Sequence, residues 1–220
     1  GEEAPILPTR EFTFYDAAVV SRGWEQKRLR RLYDLAQGKT RLLIASLDAL
    51  SIRTMPRATL FSAAIQLRCG AAYDLDDLAN KLVAAGYART SLVEGVGQFS
   101  VRGGILDVYS PSYDDPIRVE FWGDELDAMG FFDSITQRRT ENLDLLVILP
   151  VGETQPRLHP DGLEGLCSDL QHMIQRQRRR KNPNEDLLRT LEKDLHKYEN
   201  DLNNPASDRY MALVYPEMAT

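Results

Sequence analysis

The run Arg118-Val119-Glu120-Phe121-Trp122, preceded by Ile117, alternates without a break. A period of two is the signature of a half-buried β-strand. It assigns Ile117, Val119 and Phe121 to a covered face and Arg118, Glu120 and Trp122 to an open one. Upstream, residues 98–109 read as a longer strand that loses its alternation at Gly103-Gly104. Paired glycines inside a strand mark a bulge or a close backbone approach. The linker Ser110-Pro111-Ser112-Tyr113-Asp114-Asp115-Pro116 is rich in turn formers and suits an antiparallel connection. Pairing around that loop predicts Arg102 opposite Trp122.

An open-face tryptophan among arginines has two readings. Trp and Arg dominate binding hot spots because they join large contact area to directed polarity. Alternatively, Trp122 packs under a neighbouring helix while Arg118 pairs with Glu120 or Asp107, since single aromatics on sheets are common.

The rest of the chain frames this sheet with helices. Residues 18–37 read as a helix carrying Val19, Leu29, Leu32 and Leu35, with Gly38 as its C-terminal cap. Residues 41–46 read as a short buried strand, 48–55 as a turn or helix, and 58–71 as one extended element. A helix–strand–helix order of this kind belongs to an α/β layer with a parallel sheet. Asp74 caps an amphipathic helix over 74–85 whose stripe is Leu75, Leu78, Leu82 and Val83, and Gly86 ends it. Gly123-Asp124 predicts a tight hairpin, and residues 143–149 a last strand stopped by Pro150. Two charged helices follow over 160–181 and 184–202, separated by Pro183, with Asn182 or Asn184 as cap. The final Tyr210, Leu213, Val214 and Tyr215 are expected to pack back on the beginning of the chain.

Composition and spacing exclude several chemistries. A formal net charge of −6 argues against a main role in nonspecific duplex binding, which favours a basic face. Gly38-Lys39-Thr40 lacks the upstream glycine of a phosphate loop and follows a helix instead of preceding one, so it reads as a helix exit. The two cysteines, Cys69 and Cys167, and three scattered histidines form no metal-ligand pattern, and free thiols are expected. Neither a nucleophile elbow nor a paired general acid and base stands out, so no catalytic residue is assigned. The one dense basic run, including Arg178, Arg179, Arg180 and Lys181, is a candidate nucleic-acid contact. Its position at a helix C-terminus, where cations meet the helix dipole, favours a solvated end over that contact. No apolar run approaches membrane-spanning length.

A series of spaced blocks adds a resemblance. Gly86-Tyr87, Val93-Glu94, the run from Gly97 to Val108, Pro116 to Phe121, Gly123 to Leu126, Phe132-Asp133 and Thr136-Gln137-Arg138 occur in order. Together they resemble the UvrB-homology region of the bacterial transcription-repair coupling factors, the Mfd family, most densely over residues 73–150. The resemblance implies α/β plus α+β architecture in three parts. Residues 1–55 would be part of a degenerate helicase-like α/β domain without its phosphate-loop half, leaving some core exposed. Residues 56–150 would be an inserted α+β domain, an antiparallel sheet plus helix. Residues 151–220 would be a helical segment packing back. The resemblance further implies UvrA as partner, docked through Arg102, Arg118 and Trp122. Trp122 stands where the family more often has phenylalanine, which keeps an aromatic anchor but enlarges it. The family also implies an adaptor that is not itself an enzyme and needs no cofactor. ATP and Mg2+ serve the parent's motor domains, RNA polymerase and DNA are reached through other domains, and the setting is cytoplasmic. The parent's own C-terminal region is a further expected partner, covering the docking surface. The alternatives are a UvrB-like fragment that engages damaged DNA and an autoinhibitory structural module covering the UvrA-docking surface.

Overall fold

In the computed structural model, which describes residues 4–9, 23–202 and 204–217, the chain opens with β1 (Ile6–Leu7), α1 (Gly23–Ala36) and β2 (Ile44–Ala45). Val19 and the start of the predicted first helix lie outside the described residues. Gly38, at φ +73°, turns the chain out of α1: its N–H donates to Leu35 O and that of Lys39 to Asp34 O. This satisfies the last carbonyls of the helix and confirms the Gly-Lys-Thr run as a helix exit. β1 and β2 pair in parallel. The predicted buried strand over 41–46 shrinks to two residues and is not buried, with Leu42 68% and Ile44 54% exposed. Among the described residues this strand has a single two-residue partner, which leaves the apolar run uncovered.

Ser46 then caps α2 (Leu47–Ser51) by accepting from Ala49 N. The extended element predicted over 58–71 is instead α3 (Arg57–Ala63) followed by β3 (Ile65–Arg68). Pro56 sets the helix entry, and the Ala- and Leu-containing run behind it favours a helical turn that buries Leu60. α4 (Leu75–Ala84) begins as expected, with the Asp74 carboxylate accepting from Asp77 N at 2.9 Å. Its inner face buries Leu78, Ala79 and Leu82 but leaves Val83 exposed.

The centre of the chain is a six-stranded sheet in sequence order. Its strands are β4 (Ala88–Arg89), β5 (Gln98–Arg102), β6 (Ile105–Val108), β7 (Ile117–Trp122), β8 (Glu125–Phe132) and β9 (Arg139–Asn142). β4 runs parallel to β5; every other pair is antiparallel. β10 (Leu145–Ile148) pairs with β3 in a separate ribbon.

Residues 98–109 are therefore two strands, not one. Gly103 takes φ +59° at the first turn position, as a two-residue hairpin demands. Gly104 answers a different need, because a Cβ there would lie 2.8 Å from the carbonyl oxygen of Phe121. The close approach predicted from the glycine pair is real, and the predicted bulge is a turn. Gly123-Asp124 forms the expected hairpin, with Gly123 at φ +61°.

Two apolar clusters hold the chain together. One packs α4 against the sheet around Phe99, Leu106, Ile117, Val119, Leu126 and Met129. Full burial of such a side chain stabilises by about 1.5–3 kcal/mol. The other joins α1 to α5 (Gly162–Arg178), α6 (Glu185–Glu199) and α7 (Met211–Val214), and includes Tyr210, Val214 and Tyr215. Tyr210, Val214 and Tyr215 thus share a cluster with Leu29 and Tyr33 of α1. Asn184 caps α6 by accepting from Leu187 N. The architecture is mixed α/β with antiparallel sheets. Among the described residues no helix is long and apolar enough to cross a membrane.

Candidate functional site

The hairpin order places β6 between β5 and β7, so Arg102 faces Ile105 across the first turn and not Trp122. The expected Arg102–Trp122 register fails because residues 103–104 reverse the chain. What the register does create is a row across five strands: Ser100, Asp107, Arg118, Gly130 and Asn142 lie successively opposite one another.

Asp107 is the pivot of that row. It is 1% exposed, and its carboxylate accepts from Arg102 Nη2 at 2.7 Å, Arg118 Nε at 2.7 Å and Arg118 Nη2 at 2.9 Å. The Arg118 contact is a two-point guanidinium–carboxylate pair, the geometry that suits arginine and not lysine. Arg118 Nη2 also donates to Gln137 Oε1 at 2.8 Å, and its guanidinium lies 4.6 Å from the centre of the Phe132 ring. Hydrogen bonding to Asp107 raises the Arg118 pKa above its ordinary value, against the opposing effect of partial burial. The two arginines are not equivalent. The Arg118 side chain is 17% exposed and its Nε and Nη2 are committed, whereas the Arg102 side chain is 47% exposed.

Beyond this cluster, Glu120 pairs with Arg139 of β9 at 2.7 Å. Arg102, Arg118 and Arg139 against Asp107 and Glu120 are three cations to two anions, leaving one positive charge. Trp122 ends β7 at the hairpin tip and is 84% exposed. On the open face Arg118 pairs with Asp107, and among the described residues Trp122 is not packed under a helix. Phe121, on the opposite side, joins the apolar cluster.

The basic run belongs to the α5–α6 hairpin and not to this face. Arg178 pairs with Glu192, Arg179 caps α5, and Arg179, Arg180 and Lys181 are exposed. Cys69 and Cys167 are free thiols. Among the described residues no group of three His, Cys, Asp or Glu side chains is placed to hold a metal.

Sequence reasoning passed over three features. Gln137 reaches Arg118 from nineteen residues away along a loop, which no local pattern signals. β9 is exposed at all four positions and carries no apolar alternation. The ion pair of Arg28 with Glu153 joins residues 1% and 0% exposed from opposite halves of the chain. Glu153 Oε1 also accepts from Met55 N, and Arg28 Nη1 donates to the carbonyls of Pro8 and Ala49.

Fold and site define a mixed α/β chain whose central sheet presents an ordered arginine–carboxylate face with a bare tryptophan at its edge. Residues 65–153, from the first residue of β3 to Glu153, match the family model of the UvrB interaction domain, and this segment contains every buried member of the sheet cluster. The chain is 39% identical over 159 residues to the transcription-repair-coupling factor of Myxococcus xanthus, which covers 69% of this chain and 13% of that protein. It is 38% identical over 138 residues to that of Staphylococcus aureus (strain MRSA252) and 37% to that of Staphylococcus haemolyticus (strain JCSC1435), each covering 63% of this chain and 11% of the relative. The chain is thus similar to the transcription-repair-coupling factors and spans only a small part of the length of those relatives.

Proposed function

We propose that this chain is the UvrA-recruiting adaptor of a transcription-repair coupling factor, and that Arg102, Arg118 and Trp122 form its docking surface. The observation that carries this reading is Trp122, 84% exposed beside two arginines ordered by one buried carboxylate, inside a UvrB interaction domain. An ordered arginine and a bare indole are the side chains from which binding hot spots are built, and pre-ordering lowers the entropy lost on docking.

In this reading the work is recruitment, not catalysis. The face captures UvrA where the parent protein meets stalled RNA polymerase. ATP, Mg2+, DNA and RNA polymerase are engaged by other parts of the parent, which acts in the cytoplasm. Its C-terminal region covers the face until UvrA is needed. In the same reading residues 1–55 belong to a degenerate helicase-like α/β domain, 56–150 to the inserted docking domain and 151–220 to a returning helical segment.

The test is calorimetric titration of the chain with UvrA. Saturable binding, weakened by about 2 kcal/mol in Trp122→Ala or Arg118→Ala, is the expected result. Absence of binding by the folded wild type refutes the reading.

A further inference from the structure

The loop that leaves β8 is organised far beyond what a connection needs. Asp133 Oδ1 accepts from Ile135 N at 3.0 Å and Thr136 N at 2.6 Å. Asp133 N donates to Arg138 O, and Gln137 N to Asp133 O. The Gln137 side chain donates to Ser134 O at 2.8 Å and accepts from Arg118. Gln137 holds φ +60°, a left-handed conformation that costs a non-glycine residue energy and persists only where its surroundings enforce it. The backbone N–H of Thr136, with the Thr136 side chain and Ile135 N–H, holds the Asp133 carboxyl below its ordinary pKa.

The product of this bracing is an isoleucine held in water. Ile135 is 90% exposed, more than Trp122. A single exposed aliphatic residue is ordinary on a protein surface. One fixed by a braced loop that is itself bonded to the central arginine of the candidate docking face is not.

We propose that Ile135 is a second apolar anchor of that face and inserts into an apolar pocket on UvrA; this rests on the docking reading above. Position and size both fit. Phe132, at the base of the loop, donates its N–H to Pro116 O beside the start of β7, while Trp122 stands at the end of β7. Five steps along the strand separate the two ends by about 17 Å. A standard interface of roughly 800 Å² per partner is broad enough to hold both anchors with the arginines between them. The arrangement of apolar anchors around a cationic centre also states what the partner surface must offer, two apolar recesses flanking a carboxylate.

The experiment titrates UvrA with wild type, Ile135→Ser, Trp122→Ala and Leu47→Ser, the last altering a residue 79% exposed and remote in sequence from the face. Ile135→Ser is expected to weaken binding about tenfold, the fold-change that matches loss of one buried aliphatic contact. Its thermal midpoint stays that of wild type, and Leu47→Ser binds as wild type. Wild-type affinity in Ile135→Ser, with binding lost in Trp122→Ala, overturns the inference and leaves the docking reading standing. A change in self-association of Ile135→Ser at unaltered UvrA affinity also overturns it, in favour of a contact between copies of this chain. No binding by the wild type removes the docking reading and this inference together.

Discussion

Replacing Asp107 with alanine should destabilise the central sheet more than any other single change on its open face. The carboxylate is buried and accepts three charge-assisted hydrogen bonds from two arginines. Removing one partner of a buried ion pair costs about 3–5 kcal/mol, because the other charge is left without compensation. Two features push the value to the bottom of that range. Arg102 is half exposed and regains water, so its share is screened. Arg118 keeps Gln137 and the Phe132 ring. The expected loss is about 3 kcal/mol. With a urea slope of about 3 kcal/mol/M, that moves the midpoint down by about 1 M. Far-ultraviolet circular dichroism across a urea series reads it directly. The double variant Asp107→Ala/Arg118→Ala should lose less than the two singles added together, with about 1–2 kcal/mol of coupling, since the orphaned cation is then gone. A midpoint shift below about 0.3 M, or strict additivity in the cycle, would refute the assignment of Asp107 as the pivot.

Two further outcomes follow from the same structure. Gly104→Ala should cost more than Gly103→Ala in urea melts: a Cβ at 104 meets the Phe121 carbonyl, whereas at 103 there is open space and only the left-handed φ penalty of about 1 kcal/mol applies. The reverse order would contradict the assigned turn. Burial raises the pKa of Tyr198 to about 12 and those of Tyr87, Tyr210 and Tyr215 above their ordinary 10.0. A folded-state pKa above the unfolded one gives stability that is complete below pH 10 and drains as pH rises through the folded values. Alkaline titration should therefore show tyrosine ionisation coinciding with cooperative loss of ellipticity above pH 10. Full ionisation centred at the ordinary value in a folded protein would argue against that burial.

The elements read correctly from sequence are those whose signal is local. The alternation over 117–122 placed Ile117 and Val119 inside and Trp122 outside, and both inner residues are 0% exposed. Caps at Asp74 and Asn184 and the exit at Gly38 carry their chemistry within four residues. The misreadings arose where two local signals compete. Gly103-Gly104 satisfies both a bulge and a hairpin, and the flanking Arg102 and Ile105 pair directly with each other, which only the hairpin permits. Over 58–71, a β-branched and aromatic content suited a strand, but Pro56 and the alanines behind it start a helix first. The Arg28–Glu153 pair was beyond reach, since 125 residues separate its members and their further partners, Pro8, Ala49 and Met55, are also distant from Glu153 in sequence.

Position along a strand does not reveal what an arginine is free to do. Arg102 and Arg118 look alike in sequence, each beside a β-branched residue on an open face. In the fold Arg118 spends Nε and Nη2 on Asp107 and Gln137, and through them it fixes both the Arg102 guanidinium and the loop that carries Ile135. Loss of binding in an Arg118 variant would accordingly report disorder of the whole face, whereas loss in an Arg102 variant reports a more exposed cation. The hydrogen bonds that hold the face in shape also limit how much charge it can offer a partner. Trp122 and Ile135, which need no counter-charge, are 84% and 90% exposed. In the proposed docking, specificity comes from the placement of a few ordered groups, with affinity left to the apolar anchors.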